Sequence, residues 1–545
     1  MNYKLFIFLF FIFILGIGCS IKSDYSKKDI IIYGNSSAAV TAAVQLARMG
    51  KSVLFISSDN CVGGLTASGL GATDINDYKA IGGITREFYK RVYQYYDCPE
   101  TWFYQEKDAY FTSIQKRVFT GWNKEEKLQW VFEPHVAQRI FREMLEEEKV
   151  ELVFGKIQRN KGLSIEKGKI KQIELTDGSK YQADVFIDAS YEGDMMAQAG
   201  VSYLVGRESN AVYGETMNGI LPNKNVKKSP VKIDPYIIEG QKASGLLPFI
   251  EEKQPGNPGD GDQRIQAYCY RFTLTNHVDN MLQVEKPDDY NSLWFEYIAR
   301  LLKSNPDWQL TDIITITPMP NLKTDINHAD FVGANYDWPE ASYERREELK
   351  MMHRSYALGL IWFLGNDERV PEKIRKDMKK WGLPKDEFTD NGHFPYQLYV
   401  REARRMISDY VMTEHEVTGH KVAPHSVALG TYWFDSHIVS RFADEEGALR
   451  DEGGFWGNQT IYPISYLSIV PKRTECSNLI VPVCLSASHA AYGSIRMEPV
   501  YMVLGQSAAI AAALCSEQKI PVQELKYEQL RSKLLEYDQI LEYKK

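Results

Sequence analysis

One stretch of the sequence, from Asp29 to Ile56, restricts the fold more than any other. A β-branched run, Asp29–Tyr33, leads through a turn of small residues into a helical segment, Val40–Met49, whose apolar residues face one side. A second apolar run, Val53–Ile56, follows directly after Gly50-Lys-Ser. Strand, turn, helix and strand at these lengths predict a parallel βαβ unit. We therefore predict an α/β fold built around a Rossmann-like domain.

The turn of this unit has the composition of a dinucleotide-binding loop. It reads Gly34-Asn-Ser-Ser-Ala-Ala39, and the helix after it offers unpaired backbone N–H groups and a positive dipole end to a pyrophosphate. Ser36 replaces the second glycine of the G-x-G-x-x-G pattern, and Ala39 replaces the third. The candidate cofactor-binding positions are Gly34, Ser36, Ser37 and Ala38, and plain βαβ packing is the alternative.

The end of the second strand also departs from the dinucleotide-binding pattern. A Glu or Asp normally binds the adenosine ribose hydroxyls there, whereas this chain has Ser57-Ser58-Asp59. Asp59 would take that role slightly late in the sequence, or Ser57 would donate a weaker hydrogen bond from the usual position. Both are candidate ribose-binding residues.

The first 19 residues read as an export signal. Lys4 precedes an unbroken apolar stretch, Leu5–Leu15, which is shorter than the ~20 residues of a spanning helix. Leu15-Gly-Ile-Gly-Cys19 resembles a bacterial lipobox, so we expect lipidation of Cys19 and a protein anchored to a bacterial membrane on its periplasmic or cell-surface face. A plain secreted protein and an uncleaved anchor are the alternatives. No later segment is expected to span a membrane.

Composition and charge exclude several classes of partner. The chain has 64 Lys and Arg against 72 Asp and Glu, a net charge of -8, and no long basic run, so nucleic acid is not an expected partner. Its 33 Tyr and 10 Trp suffice to line a pocket as well as a core.

The cysteines do not form a metal-binding pattern. All seven lie without any C-x-x-C pair or matching histidine spacing, so no metal centre is predicted and most are expected to be buried thiols. Cys61 lies close to Gly64, which leaves covalent attachment of a cofactor as a minor alternative to simple burial.

Several long and uncommon strings lie in order along nearly the whole chain after Cys19. They are Gly63–Asp74, Ala80–Tyr89, Phe132–Val136, Asp184–Asp194, Gln266–Arg271, Thr324–Asn327, Tyr399–Met406, Ser486–His489 and Ser494–Gln506. Together they resemble a family of bacterial FAD-dependent oxidoreductases. The resemblance implies FAD as the cofactor and an oxidoreductase activity, and it leaves the substrate open.

The resemblance also implies roles for residues outside the βαβ unit. The positions that would line the flavin and its phosphates are Gly63, Gly64, Leu65, Asp188, Ala189, Gly193 and Asp194. A helix that opens at Gly505 and Gln506 would point its N–H groups at the isoalloxazine ring. Taken by themselves, the same residues also suit a β-hairpin with a polar end and a tightly packed, Ala-rich core helix.

The chain is predicted to divide into five segments. They are a lipoprotein signal peptide (1–19), a tether (20–28), the first part of the FAD-binding domain (29–205), an inserted α+β substrate lobe (206–462) and the C-terminal part of the FAD-binding domain (463–545). Within the lobe, Ala341–Leu364 and Pro371–Trp381 are predicted to be charged helices with solvated faces.

Hydride transfer to a flavin needs a base that removes a substrate proton and a cation that orients the substrate. His489 and His437 are the preferred candidates for the base, although a lone histidine is more often structural. Arg496 would bind a substrate carboxylate, or it would pair with Glu498 and fix the loop. Arg401, Arg404 and Arg405 are expected on a salt-bridged helix.

Three functions remain in competition. The leading one is an exported FAD-dependent dehydrogenase or oxidase acting on a polar small molecule or oligosaccharide, with a carbohydrate favoured by analogy. A lyase-type, polysaccharide-processing enzyme with a redox-neutral or structural flavin is the second, and a non-catalytic binding lipoprotein is the third. Because only one dinucleotide fingerprint is present, oxygen, a quinone or a partner protein would accept the electrons.

Overall fold

The computed structural model describes residues 27–114, 121–222, 224–225, 231–327, 329–457 and 459–543. The signal peptide, Cys19 and most of the tether lie outside the described residues. The α-helices are α1 (Ser37–Arg48), α2 (Gly83–Asp97), α3 (Lys107–Ile114), α4 (Pro134–Glu147), α5 (Asp194–Gln198), α6 (Asn210–Tyr213), α7 (Glu296–Ser304), α8 (Tyr343–Asn366), α9 (Glu372–Met378), α10 (Glu414–Val417), α11 (His489–Ile495), α12 (Glu498–Gln518) and α13 (Tyr527–Glu536).

Twenty-three strands accompany the helices in the described part of the chain. They are β1 (Lys28–Tyr33), β2 (Val53–Ser57), β3 (Trp122–Asn123), β4 (Leu128–Gln129), β5 (Glu151–Phe154), β6 (Leu163–Glu166), β7 (Lys169–Glu174), β8 (Lys180–Asp188), β9 (Tyr203–Leu204), β10 (Lys224–Asn225), β11 (Phe272–Thr275), β12 (Met281–Leu282), β13 (Thr315–Met319), β14 (Lys323–Asn327), β15 (Leu383–Pro384), β16 (Arg405–Met406), β17 (Ser426–Gly430), β18 (Phe434–Ser436), β19 (Ser440–Ala443), β20 (Leu449–Glu452), β21 (Phe455–Gly457), β22 (Tyr462–Ser465) and β23 (Leu479–Ile480).

The main sheet is mixed, and its parallel part is of the predicted Rossmann-like type. β5, β2, β1, β8 and β23 lie side by side and run parallel, with Ile31 opposite both Leu54 and Phe186. β6, β7 and the start of β8 form an antiparallel meander, in which β7 pairs with both of its neighbours. β23 joins the sheet next to β8 from far along the chain, so distant parts of the sequence build one nucleotide-binding-type sheet.

Alternate residues of the central strand face two different cores. Ile30 and Ile32 belong to the large core that contains α1 and α12, whereas Ile31 and Tyr33 pack with the meander and α5. Because successive strand residues point to opposite faces, an almost continuous apolar strand such as β1 indicates a sheet covered on both sides. The sheet thereby holds its carboxyl edge rigid, and that edge carries the candidate site.

The C-terminal helix differs from the prediction in where it starts. α12 begins at Glu498, so Gly505 and Gln506 lie in its interior rather than at its N-terminus. Gly505 packs against Ala38 and Thr41 of α1, where a Cβ atom would come within 2.2 Å of the Ala38 carbonyl oxygen. Gln506 binds Ile84 and Gln45. The prediction that this pair opens a helix at the flavin is therefore wrong, because the apolar turns before it continue the helix upstream.

α12 is also the one helix among the described residues that is long and apolar enough to cross a membrane. Its apolar window is 100% buried within the protein, as in the core helix of a folded domain. α12 thus reaches the length of a spanning helix, and its burial rather than its length distinguishes it from a membrane span.

The region between β8 and β23 is α+β, as predicted, with the antiparallel sheet β11–β14–β13 and the helices α7 to α9. Two expectations about this lobe are wrong. Arg346 of α8 is 5% exposed, so this side of the helix is not solvated. Arg401 and Arg404 lie outside any helix or strand, and Arg405 starts β16. Their guanidinium groups form buried ion pairs and are not displayed on a helix.

Candidate active site

A cleft lies at the carboxyl ends of β1, β2, β5 and β8. The residues that follow these strands line one side of it. The lining residues are Tyr33, Asn35, Ser58, Asp59, Lys156, Ser190, Glu192, Asp194, Trp338, Tyr343, Arg346, Glu347, Lys350 and Gln397. In open α/β sheets, ligands bind outside the carboxyl edge at this type of crevice.

The turn after β1 requires the glycine that the sequence places there. Gly34 has a φ of +120°, and a Cβ atom at this position would lie 2.4 Å from the backbone nitrogen of Ser190. Ser36 caps α1 and donates from its hydroxyl to the Ala189 carbonyl oxygen at 2.6 Å. The turn after β1 is therefore packed against the end of β8 through contacts of Gly34, Ser36 and Ala189.

The loop Gly63-Gly64-Leu65 covers the start of α1. Gly63 and Gly64 have φ values of +89° and +51°, which favour glycine. The Leu65 backbone N–H donates to the hydroxyl of Tyr191 at 3.0 Å, and a Cβ on Gly64 would clash with that hydroxyl. This close packing explains the glycine pair, and its predicted contact with flavin stays a prediction.

Glu498 holds these segments together from the first turn of α12. Its carboxylate accepts hydrogen bonds from Ser37 at 2.6 Å, Tyr191 at 2.7 Å and Thr66 at 2.8 Å. Burial raises the pKa of Glu498 despite these donors. The Ser37 hydroxyl is thus bound to Glu498. Arg496 pairs with Asp435 and not with Glu498, so the expected Arg496–Glu498 ion pair is wrong.

Two predicted cofactor ligands turn away from the cleft. The Ser57 hydroxyl donates to the Asp59 carbonyl oxygen at 2.7 Å, so it closes its own turn. Asp188 accepts from Ser190 and from the Met196 backbone N–H at 2.8 Å, and burial raises its pKa to about 6. Asp188 organises the loop after β8 instead of lining the cleft.

Gly193 and Asp194 keep positions consistent with the predicted site. Gly193 adopts the left-handed conformation that begins α5, and Asp194 lines the cleft. Burial would raise the pKa of Asp194, but Arg346 and Arg404 outweigh it and hold that pKa below its usual value. Asp194 is therefore an anion at neutral pH, bound by two arginines from the inserted lobe.

Lys350 supplies a cation to the cleft that the sequence analysis did not predict. Its ammonium lies 3.3 Å from the Asp59 carboxylate, and its side chain is 18% exposed. Lys350 is four residues after Arg346, so both side chains project from the same side of α8. The i, i+4 spacing was visible in the sequence, but a charged helix is equally consistent with a surface that faces solvent.

A second cluster of polar side chains lies near the cleft, and it starts two residues farther along the chain. Gln397 lines the cleft and accepts from Asn35 at 2.9 Å, and the chain then runs to Tyr399. The Arg496 guanidinium donates to the Tyr399 hydroxyl at 2.7 Å and to the Asp435 carboxylate at 3.2 Å. Arg496 is 2% exposed, yet its Nε has no hydrogen-bond partner among the residues that the structure describes. A buried donor without a protein partner is available to an ordered water, an ion or a ligand atom.

His437 stands beside this arginine pair on the adjoining segment. Its Nδ1 lies 2.7 Å from Asp330, and its Nε2 lies 3.7 Å from Asp435. A carboxylate bound to Nδ1 fixes the orientation and tautomer of an imidazole ring. The structure thus brings two of the predicted catalytic residues, His437 and Arg496, to the same carboxylate, Asp435.

Two carboxyl groups in this cluster have pKa values displaced in opposite directions. Burial raises the pKa of Asp74, which accepts a hydrogen bond from Tyr432 at 3.0 Å. Burial would also raise the pKa of Asp435, but His437, Arg496 and Arg401 hold it below its usual value. Paired carboxyls with separated pKa values are suited to acid and base roles. Asp74 ends one of the strings quoted in the sequence analysis and Asp435 is two residues before His437, but neither was assigned a role there.

His489 has a more enclosed position than His437. Its ring is 1% exposed, with Nδ1 2.9 Å from Glu402 and Nε2 3.2 Å from the Ser436 hydroxyl. Because both ring nitrogens have protein partners, this arrangement favours a structural role. The catalytic role predicted for His489 stays a prediction.

One group of metal-ligand type is present in the described residues. Atoms of Glu133, His135 and Glu387 lie within 4.8 Å of one another. The Lys323 ammonium, however, lies 2.7 Å from Glu133 and 2.8 Å from Glu387. A lysine already supplies positive charge to these carboxylates, so the group reads as a buried salt-bridge network.

Cys61 and the other thiols are consistent with a structural role. In the described part of the chain, five of the six cysteines are buried and only Cys98 is exposed. Burial raises the pKa of Cys61 to about 12, so its thiol stays protonated at neutral pH.

The cleft residues fit the adenosine diphosphate half of FAD. Asp59 and Ser58 provide oxygens for ribose hydroxyls, and Lys350, Lys156 and Arg346 provide positive charge for a diphosphate. The buried, partnerless Nε of Arg496 fits a polar edge of a ring or substrate in the second cluster. The cleft therefore offers hydrogen-bonding and cationic groups that suit a nucleotide cofactor, and it also holds the carboxylates of Glu192, Asp194 and Glu347.

Comparison with known proteins agrees with this chemistry. The model of the family described as FAD dependent oxidoreductase matches residues 29–534. No curated protein matches the chain in sequence.

Similar solved structures have low identity. L-amino acid deaminase from Proteus vulgaris is 14% identical at a TM-score of 0.22, with 34% of this chain and 53% of that chain covered. L-proline dehydrogenase from P. horikoshii is 16% identical at a TM-score of 0.23, with coverages of 37% and 62%. Lactococcus lactis thioredoxin reductase is 17% identical at a TM-score of 0.18, with coverages of 30% and 35%. The matched region spans less than two thirds of each of these proteins.

Proposed function

The chain belongs to the FAD dependent oxidoreductase family, and from that premise we propose that it oxidises a polar organic substrate, a carbohydrate, at the Arg496–Asp435 cluster. The observation that carries the proposal is that Arg496 and His437 both lie next to the Asp435 carboxylate. This cluster lies close to the chain segment that begins in the cofactor cleft.

The mixture of hydrogen-bonding groups supports a hydroxyl-rich substrate. A sugar hydroxyl both donates and accepts, so it needs both kinds of partner. Arg496 donates only, the ionised Asp435 carboxylate accepts only, and the hydroxyls of Tyr399 and Tyr432 do both. Cations and carboxylates in the cluster nearly balance, which suits a neutral ligand better than a strongly charged one.

Oxidation of an alcohol removes a hydrogen with its electron pair from carbon and a proton from oxygen, and it leaves a carbonyl. When bound, FAD supplies the acceptor for that hydrogen and electron pair. His437 would take the hydroxyl proton at Nε2, since Asp330 holds its Nδ1 at 2.7 Å. Arg496 would orient the substrate oxygen, and Asp435 would stabilise the imidazolium that forms.

Turnover requires an external acceptor for the two electrons. We propose oxygen, a quinone or a partner protein, because the sequence holds a single dinucleotide fingerprint. We also propose that the protein is exported and anchored to a bacterial membrane only through a lipid on Cys19. Mass spectrometry of the membrane-fraction protein tests this: a diacylated N-terminal Cys19 is expected, and an unmodified or uncleaved N-terminus would contradict it.

The experiment is anaerobic mixing of the yellow protein with sugars, sugar acids and amino alcohols while the visible flavin absorbance is followed. A sugar is expected to bleach the flavin and to yield one carbonyl per flavin. His437→Gln should slow bleaching by about 10²–10⁴-fold and remove the acidic limb of its pH dependence, on which the rate falls as the base becomes protonated. His420→Gln, at an exposed histidine outside both clusters, is the matched control, and its pH profile should follow that of the wild type.

Other outcomes identify the competing functions. Conversion of a polysaccharide without bleaching would favour a redox-neutral, lyase-type enzyme. Sugar binding by a protein that holds no FAD would favour a non-catalytic binding lipoprotein. Equal pH profiles for wild type and His437→Gln would remove His437 from the base role.

A further inference from the structure

Two exposed tryptophans lie next to the Arg496–Asp435 cluster. All ten tryptophans fall within the described residues, and only Trp456 and Trp433 are exposed, at 58% and 40%. Trp456 lies on β21 directly opposite Asp435 of β18, and Trp433 is two residues before Asp435. Residues paired across two strands share a face, so Trp456 lies on the same face as Asp435. Trp433 directly precedes β18 and is linked to the cluster through its neighbour Tyr432.

Each indole is fixed by a residue of the cluster. Trp456 donates from Nε1 to the Asp435 carboxylate at 2.8 Å. The Trp433 ring stacks on Tyr432 with centroids 4.4 Å apart and planes at 33°, and Tyr432 in turn donates to Asp74. Two rigid apolar surfaces are thus held at the rim of a polar, largely buried site. Solvent-exposed aromatic faces beside convergent polar groups mark ligand-binding surfaces.

The chemistry of this surface selects one kind of ligand. A pyranose ring presents a flat face of C–H bonds, which packs on an indole, and hydroxyls at its edge, which bind carboxylates and guanidinium groups. The inner residues are far less accessible: Arg496 is 2% exposed and His437 is 6% exposed. A ring that reaches His437 is enclosed by the cluster, so the tryptophans outside remain available to the neighbouring ring of the same chain.

We propose that Trp456 and Trp433 form a sugar-binding subsite outside the reaction cluster, so that the substrate is a glycan of at least two units rather than a free monosaccharide. This inference rests on the proposed function and extends it. One ring lies beside His437 and Arg496, and the next ring packs on the exposed indoles.

Binding is measured on the purified full-length protein with an array of neutral oligosaccharides, followed by titration of the best trisaccharide and its component monosaccharide. Trp456→Ala and Trp433→Ala should each weaken the trisaccharide by about tenfold, and Trp456→Phe should recover most of that loss. Phe103→Ala is the matched control, because Phe103 is a 70% exposed aromatic residue that does not contact the cluster. Thermal unfolding verifies that each variant is folded.

Three results would overturn the subsite: no glycan on the array binds, the monosaccharide binds as tightly as the trisaccharide, or the tryptophan variants bind like Phe103→Ala. The binding assay needs no electron transfer, so it separates this inference from the proposed function. A glycan that binds at the tryptophans without bleaching the flavin would keep the subsite and contradict the oxidation. A non-sugar that bleaches the flavin while no glycan binds would do the reverse.

Discussion

Replacing Lys350 with methionine tests whether α8 of the inserted lobe helps to hold FAD. Lys350 lines the cleft at the carboxyl edge of the sheet and lies 3.3 Å from Asp59. Methionine keeps most of the length and volume of the side chain and removes only the charge. The change leaves Asp59 as an unpaired carboxylate next to the place where a diphosphate would bind.

The size of the effect follows from the position of the ammonium group. The Lys350 side chain is 18% exposed, so its charge is only partly screened by water. A hydrogen bond to an ionised group in such a place contributes about 1.5–3 kcal/mol, which corresponds to about 10–100-fold in Kd. Lys350→Met should therefore weaken FAD by that factor, and repulsion from Asp59 acts in the same direction.

The assay is a titration of the cofactor-free protein with FAD, in which the quenching of flavin fluorescence reports binding. Riboflavin, which lacks the diphosphate, serves as the second ligand, and its Kd should be nearly unchanged by Lys350→Met. Lys376→Met is the matched control, since Lys376 is 72% exposed and pairs only with Glu372 on the surface. An FAD Kd within twofold of wild type in a folded variant, or equal weakening of FAD and riboflavin, would refute the reasoning.

Two further predictions concern the stability of the scaffold. Gly34→Ala should lower the free energy of unfolding by about 3 kcal/mol or more, because φ is +120° and the new Cβ would lie 2.4 Å from the Ser190 nitrogen. Gly178→Ala, at φ +87° with open space around it, should lose only about 1 kcal/mol, and equal losses in urea titrations would contradict the clash. Burial alone would lower the pKa of His135, but Glu387 outweighs it and raises that pKa to about 9. The protonated form is the stabilising one, so its contribution is complete below the ordinary pKa of 6.5 and is lost as pH rises through 9. In His135→Gln, the urea midpoint should decrease less between pH 6.5 and pH 9 than it does in the wild type. The surface variant His420→Gln should show the same decrease as the wild type.

The sequence was most informative where a local pattern determines the backbone. The β-branched run of β1, the small residues of the turn and the second apolar run could only form a parallel βαβ unit, and the structure has them with boundaries shifted by a few residues at most. Gly34 was predictable for the same reason, because a strand-to-helix turn at a sheet edge requires close backbone approach.

Side-chain roles were less predictable because they depend on contacts between distant segments. Ser57 occupies the usual ribose-binding position, yet its hydroxyl closes its own turn. Arg346 and Lys350 lie in a strongly charged helix, and nothing local indicates that one side of it meets Asp194 and Asp59 more than 150 residues away. Gly505 resembles a helix start, but its packing against Ala38 is set by the tertiary fold.

The Arg496–Asp435 cluster was predicted in part. His437 and Arg496 were chosen as candidates for base and cation, and the structure places both at Asp435. Asp74 and Tyr432 were not assigned, because the sequence does not reveal that segments more than 350 residues apart bring their side chains together. His489 was chosen for its small neighbours, and those same neighbours bury it.

The central claim is that this protein binds FAD at the carboxyl edge of the parallel sheet and uses it for oxidation. The visible absorption spectrum of the purified protein, recorded before and after acid precipitation, tests it most directly. We predict a yellow protein that releases free FAD into the supernatant, since the Cys61 thiol stays protonated. A colourless protein that cannot be reconstituted with FAD would contradict the account.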